Sequence, residues 1–358
     1  MGGLLPAWAD AGRAAQVDPA DAERLSDGNM QTLQQFVSQS TWDHVPVLRS
    51  VATKAASGIS PEAWVIDDTS FPKAGDQSVR AARQWCGALG KKSLCQVGVS
   101  LHAVTDAASV PPNWRLFLPA EWADPDDERR AKAGVPDGLG HRAKWRLALD
   151  AIDEALGWGL AGRVVVADAG YGQMHAFRAA VADRGLDYVV AVRGDTSVPT
   201  PARRCRPCRN DKGGWAPRYR EPARSLKDLV TTAGRRRLRR CTWRQGSKGA
   251  MTSRFIVLEV RPAGVAPTKA GRERAGGRGG WDGVLPAETL IAEWPPHQDE
   301  PTDYWLTNLP ADTALRHLVR MAKIRWRIEH DYRELKHGLG LDHFETLRCL
   351  DPKAQAPA

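Results

Sequence analysis

The sequence predicts a mixed α/β fold, and three observations carry that prediction. Short apolar runs rich in β-formers alternate with amphipathic helical segments. Two of those runs end in aspartate. A long charged segment with helical spacing closes the chain. In order, AWVID (63–67), LCQVGVSLHAV (94–104) and WRLFLP (114–119) read as strands, and HRAKWRLALDAIDEALGWG (141–159) reads as a helix ended by Gly159. Its Trp145, Leu147, Leu149, Ile152 and Leu156 fall mostly on one side. RVVVAD (163–168) is a buried strand, MHAFRAAVADRG (174–185) a helix, and DYVVAV (187–192) a further strand. The predicted order is β-β-β-α-β-α-β.

Before this core, residues 1–60 read as helical from NMQTLQQFVSQ and VPVLRSVATKAA. After it, TWRQGSKGAMTSRFIVLEV reads as a hairpin and GVAPTKAGRERAGGRGGWDG as a loop. ETLIAEW (288–294) and DYWLTNL (303–309) are short strands, and ALRHLVRMAKIRWRIEHDYRELKHGLG (314–340) is one long helix or a pair. The expected organisation is therefore a helical region 1–60, a core in two parts (61–195 and 303–345), a β-rich basic insertion 196–302, and an irregular tail 346–358.

Composition limits the function classes. With 42% hydrophobic residues and 14 Trp in 358 residues, the chain is not a disordered protein. No run approaches the roughly 20 apolar residues of a membrane span. The first residues, acidic and with little apolar run, do not read as a secretory signal, and six scattered cysteines read as reduced thiols. The expected location is cytoplasmic, and nucleoid-associated if the partner is DNA. Charge points to that partner. Residues 201–250 hold 16 Lys or Arg against 3 Asp or Glu, an excess larger than the +9 of the whole chain. Trp215, Tyr219 and Trp243 are interleaved with these cations, so bases can stack while Arg235, Arg236, Arg237, Arg239 and Arg240 hold phosphates.

Two acids stand at strand ends, where an open α/β sheet leaves room for a ligand: Asp67, or its neighbour Asp68, and Asp168. A helix cap is the commonplace reading of either. Further on, Arg325, Glu329, Tyr332 and Lys336 follow +4, +3, +4 spacing, which puts a carboxylate between cations on one helical face beside the apolar Ile324, Ile328, Leu335 and Leu339. An acid there can ligate a hard cation while the cations grip phosphates. Cys205-Arg-Pro-Cys208 lacks the second pair a zinc site needs, and Gly170-Tyr171-Gly172 lacks the P-loop pattern, reading instead as a turn that gives DNA access to Asp168.

VIDDTSFPKAG, ARQWCGALGKKSLCQVGVSLHAV, VVVADAGYG and RWRIEHDYRELKHGLGLDHFE resemble the blocks of bacterial insertion-sequence DDE transposases of the group with a Tyr-Arg-Glu-Lys signature. The resemblance implies an RNase H-like catalytic core. It implies that Asp67, Asp168 and Glu329 bind two Mg²⁺ ions, with Mn²⁺ as a substitute and Asp68 as the alternate first ligand. It also implies that Arg325 and Lys336 hold DNA phosphates. Ala322 stands where the signature has Tyr, so that contact is absent unless Tyr332 supplies it, and Trp305 lies near the place of a base-stacking Trp. The expected partner is double-stranded DNA, bound by a homodimer on paired ends. A plain metal-dependent nuclease and an inactive, truncated DNA-binding relic are the alternatives.

Overall fold

A computed structural model describes residues 43–74, 78–124, 128–162, 164–199, 222–247, 249–274, 276, 281 and 283–338. The helical reading of residues 1–42, the basic stretch 200–221 with Trp215, Tyr219, Cys205 and Cys208, and the segment 339–358 lie outside the described residues. The chain divides into two compact units, residues 1–161 with 326–358, and residues 162–325.

The first unit opens with α1 (Val45–Ile59), whose Pro46 sits in the first turn, where a missing N–H costs nothing. It is followed by β1 (Ala63–Pro72), β2 (Ala82–Cys86), β3 (Lys91–Val104) and β4 (Ser109–Leu116). β3 is the hub. β1 pairs antiparallel along one side of it, while β2 and β4 share its other side. β2 is a strand the sequence pattern did not predict, because ARQWC places polar residues across its middle and buries only its two ends. β4 begins five residues before the expected WRLFLP and contains Pro111 and Pro112, which an edge strand tolerates.

A short α2 (Glu128–Lys132) leads to α3 (Lys144–Gly157), which packs on β3 and β4. α3 buries Leu147, Ala148, Leu149, Ala151, Ile152 and Ala155. Leu156, expected on that stripe, is exposed, because small alanines let the helix approach the sheet along a different line.

The second unit begins with β5 (Val164–Ala167), the single turn α4 (Ala169–Gly172), α5 (His175–Asp183) and β6 (Asp187–Val192), with β6 parallel to β5. After the small pair β7 (Ser197–Val198) and β8 (Arg224–Ser225) comes α6 (Leu226–Ala233), capped by Ser225 Oγ, which accepts from Asp228 N at 2.9 Å. β9 (Arg239–Gly246) and β10 (Gly249–Val260) form the predicted hairpin. α7 (Val265–Arg274) overturns the loop reading of that segment: it carries Pro267, Gly271 and no apolar period, yet Gly271 lets it approach Trp281 closely. β11 (Glu288–Glu293), β12 (Asp303–Thr307) and α8 (Leu315–Lys323) complete the unit. Among the described residues its sheet runs β5-β6-β12-β11-β10-β9, antiparallel from β6 onward. The core on one face gathers Leu226, Val230, Ile256, Leu290, Trp294 and Leu306.

The chain then returns to the first unit with α9 (Trp326–Arg333), which continues as a wider π turn over Glu334–Gly338. The late segment is thus a pair of helices. α8 ends where Ile324 N–H turns back to Met321 O, and no Gly or Pro marks the break. The mixed α/β class holds. The antiparallel β4-β3-β1 meander and the parallel β5-α-β6 unit are components that an RNase H-like core requires. Among the described residues no helix is long and apolar enough to cross a membrane.

Candidate active site

Alternation along β1 turns Asp67 and Asp68 to opposite faces of the sheet. Asp67 pairs with Ser100 and Asp68 with Val99. Cross-strand partners share a face, so the fate of Asp67 follows that of Ser100. Ser100 Oγ lies 2.6 Å from Tyr332 OH, and His102, two residues on, lies 3.1 Å from Asp331 Oδ2 through Nδ1. The face that carries Asp67 is therefore the face on which α9 is seated. Phe71, of the same parity as Asp67, confirms the geometry, with the Lys336 ammonium 5.1 Å from its ring centre. Asp68 faces the other way and forms an ion pair with Lys144 at the start of α3. Asp67 is 8% exposed, and its Oδ1 accepts the Asp68 N–H at 2.9 Å.

α9 buries Ile328 and holds Asp331 and Tyr332 half-buried, with Glu329 exposed at the flank of this face. Glu329 makes no hydrogen bond or ion pair with the described residues. Lys336 Nζ donates to Ser70 O at 2.8 Å, on the strand of Asp67. Tyr332 is packed edge-on against His102, with ring centres 5.3 Å apart, and leans on Trp114 at 6.0 Å. Its hydroxyl is engaged by Ser100 within the first unit. Arg325 stands in the turn before α9, so the four residues read as one helical face do not form one: the first precedes the helix and Lys336 lies in the π turn.

In the second unit, Asp168 ends β5 and caps α4. Its Oδ1 accepts from Gly170 N at 2.9 Å and Tyr171 N at 3.4 Å. Oδ2 has no hydrogen-bond partner among the described residues. The cap and a ligand role are compatible, because the cap bonds engage only Oδ1. Gly172, read from sequence as access for DNA, has a different reason to be glycine. A Cβ there would stand 2.0 Å from Ala191 O of β6. Beneath the turn, Arg178 donates to Gly172 O and, through Nε at 3.0 Å and NH2 at 3.2 Å, to Glu288.

Trp305 lies in β12 between two neighbouring strands and is 6% exposed. The Lys323 ammonium sits 4.8 Å from its ring centre and is ion-paired with Glu293. Of the basic block, Arg236, Arg237, Arg239 and Arg240 are exposed, with no acidic partner among the described residues. Arg235 is half-buried, its guanidinium 4.4 Å from the Trp294 ring centre.

Among the described residues no three His, Cys, Asp or Glu side chains are gathered to hold a metal ion. Asp67 and Glu329 belong to the first unit and Asp168 to the second. The donor chemistry is nevertheless that of a hard cation: carboxylate oxygens, without the His or Cys ligands that select zinc. The residues missed by the sequence reading are Ser100, His102, Ser109, Arg327 and Asp331. One signal was available, the two polar residues at alternate positions inside the otherwise apolar run of β3, Ser100 and His102, both without exposed surface.

Comparison with known proteins adds the family. No curated protein matches the sequence. Among solved structures, the crystal structure of the NurA nuclease from Sulfolobus solfataricus is similar at 6% identity, covering 87% of this chain and 95% of that one, with a TM-score of 0.31. A likeness that low carries no argument. A family described as DDE superfamily endonuclease matches residues 12–250, a span that includes Asp67 and Asp168 and stops before Glu329. That match covers well over half of the sequence, and the chain belongs to the DDE superfamily of endonucleases.

Proposed function

We propose that the chain is a transposase of an insertion sequence, which cuts the ends of its element and joins them to target DNA. Asp67, Asp168 and Glu329 are the acids of the reaction in this reading. One observation supports it above the others: Asp67 shares a sheet face with the helix that carries Glu329, whereas Asp68 is turned to Lys144. The family supplies the endonuclease class, and the superfamily generally works with divalent metals.

Mg²⁺ bound by these carboxylates, or Mn²⁺ in its place, would supply the Lewis acid that phosphoryl transfer between DNA strands requires. The chain's own residues do the rest. The three carboxylates supply the negative charge that would recruit the ions. Lys336 and Arg325 hold phosphates near the scissile bond. The exposed Arg236, Arg237, Arg239 and Arg240 bind the duplex backbone without reading its sequence. A homodimer on paired ends, within the bacterial cytoplasm, completes the proposal.

The test is a cleavage assay with the full chain, Mg²⁺ and DNA carrying the element's termini, scoring nicked and joined products separately. Joined products support the transposase. Nicks without joining favour a plain metal-dependent nuclease. Binding without either product favours a DNA-binding relic. Asp168→Asn and Glu329→Gln are each expected to abolish cleavage while leaving DNA binding in place.

A further inference from the structure

Beneath α9 lies an arrangement that the proposed reaction does not use. Ser100 Oγ is 3.0 Å from His102 Nε2, and His102 Nδ1 is 3.1 Å from Asp331 Oδ2. Those are the distances of a serine nucleophile, its base and an orienting acid. Ser100 and His102 have no exposed surface, however, and Ser100 Oγ already contacts Tyr332 OH. No substrate atom reaches that hydroxyl, so the three residues serve another purpose.

The contacts run from strand to helix without a gap. His102 Nδ1 meets Asp331 Oδ2, His102 Nε2 meets Ser100 Oγ, and Ser100 Oγ lies 2.6 Å from Tyr332 OH and 3.4 Å from Asp67 O. From the other side, Ser109 donates to Asp331 Oδ1 at 2.6 Å, and Arg327 Nε donates to Ser109 at 3.3 Å. Each of these polar side chains thus has a partner within hydrogen-bond distance.

Such a network does more than hold a helix down. Apolar contact through Ile328 sets the depth of α9 on the sheet but leaves it able to turn or slide. Directional bonds at Arg327, Asp331 and Tyr332 fix its rotation on both sides of Glu329. Their anchors are β4 and the strand that pairs with β1 opposite Asp67.

The geometry points to Ser100, His102, Ser109 and Asp331 as positioning residues that set Glu329 relative to Asp67 and thereby the affinity of these carboxylates for a divalent cation. This rests on reading Asp67 and Glu329 as metal-binding acids.

The test uses the full chain with Mn²⁺ as probe, titrated calorimetrically without DNA, alongside thermal unfolding, DNA affinity and the kcat and KM of cleavage. Asp331→Asn and His102→Leu are expected to weaken Mn²⁺ binding about tenfold, the scale of losses from outer residues of metal sites. kcat should fall with KM for DNA unchanged. His102→Asn, which keeps an amide donor toward Asp331, should recover part of the loss. If a variant does not fold, Ser109→Ala removes a single partly exposed donor and should still weaken Mn²⁺ several-fold. Unaltered Mn²⁺ affinity and kcat beside a lowered melting temperature would overturn the inference and leave the network a stability element. If Glu329→Gln leaves Mn²⁺ affinity unchanged, the assignment of Glu329 as a ligand is what fails, and the positioning role falls with it.

Discussion

Tyr332 OH lies 2.6 Å from Ser100 Oγ, and Ser100 is the cross-strand partner of Asp67. One hydrogen bond thus ties the helix of Glu329 to the strand pair of Asp67. Tyr332→Phe keeps the ring against His102 and Trp114 and deletes the bond to Ser100. The expected cost is about 1 kcal/mol in urea unfolding, the net worth of a typical buried hydrogen bond. A variant as stable as the parent would mean that the contact does not persist in solution.

The opposite orientations of Asp67 and Asp68 separate two carboxylates that the sequence leaves equivalent. Asp68 is partly exposed and paired with Lys144, and such pairs contribute roughly 0–1 kcal/mol. Asp68→Asn is expected to retain cleavage within a few-fold and to unfold almost as the parent does. Asp67→Asn is expected to lose cleavage while still binding DNA. Assaying the two variants side by side checks the assignment, and the reverse result would move the first acid to Asp68.

The sequence made some of this legible and hid the rest for physical reasons. DYVVAV and VVVA are buried on both faces, so their apolar runs match β6 in full and the whole of β5. Asp168 at the end of β5 was visible for the same reason, whereas Asp67, expected at a strand end, lies in the middle of β1, which continues through the polar DTS to Pro72. β2 was hidden because an edge strand needs no apolar face, and α7 because Pro267 and Gly271 conceal a helix that rests on Trp281. The division between α8 and α9 has no local marker. The pairing of His102 with Asp331 spans 229 residues, so no spacing rule reaches it, although a serine and a histidine inside a buried strand already demand partners.

Burial lowers the pKa of His102 below 6.5, against a smaller opposing effect of Asp331. In the unfolded chain that imidazole takes up a proton near pH 6.5, whereas in the folded chain it does so only at lower pH. Between the two values the unfolded state binds more protons, so this residue's contribution is complete above pH 6.5 and is lost as pH falls below it. His102→Asn removes the titration but not the packing defect. The stability gap between parent and variant, read from urea midpoints, should narrow from pH 7.5 to pH 5.5. A gap of constant size would show that His102 is as readily protonated in the folded state as in the unfolded one.

Arg178 and Glu288 form a buried, two-bond ion pair, 4% and 6% exposed, in the second unit. The same guanidinium donates to Gly172 O, the end of the turn that Asp168 caps. Removing one partner leaves a charge in the interior with no counter-ion, which costs about 3–5 kcal/mol, whereas replacing both with apolar groups of similar volume removes that penalty. Glu288→Leu alone should therefore be far less stable than Arg178→Met with Glu288→Leu. The double variant nevertheless lacks the bond to Gly172 O, so the Asp168 turn should be less protected in hydrogen exchange even where global stability recovers. Stability and turn protection that recover together would mean that packing of Gly172 against Ala191, rather than Arg178, holds Asp168 in place.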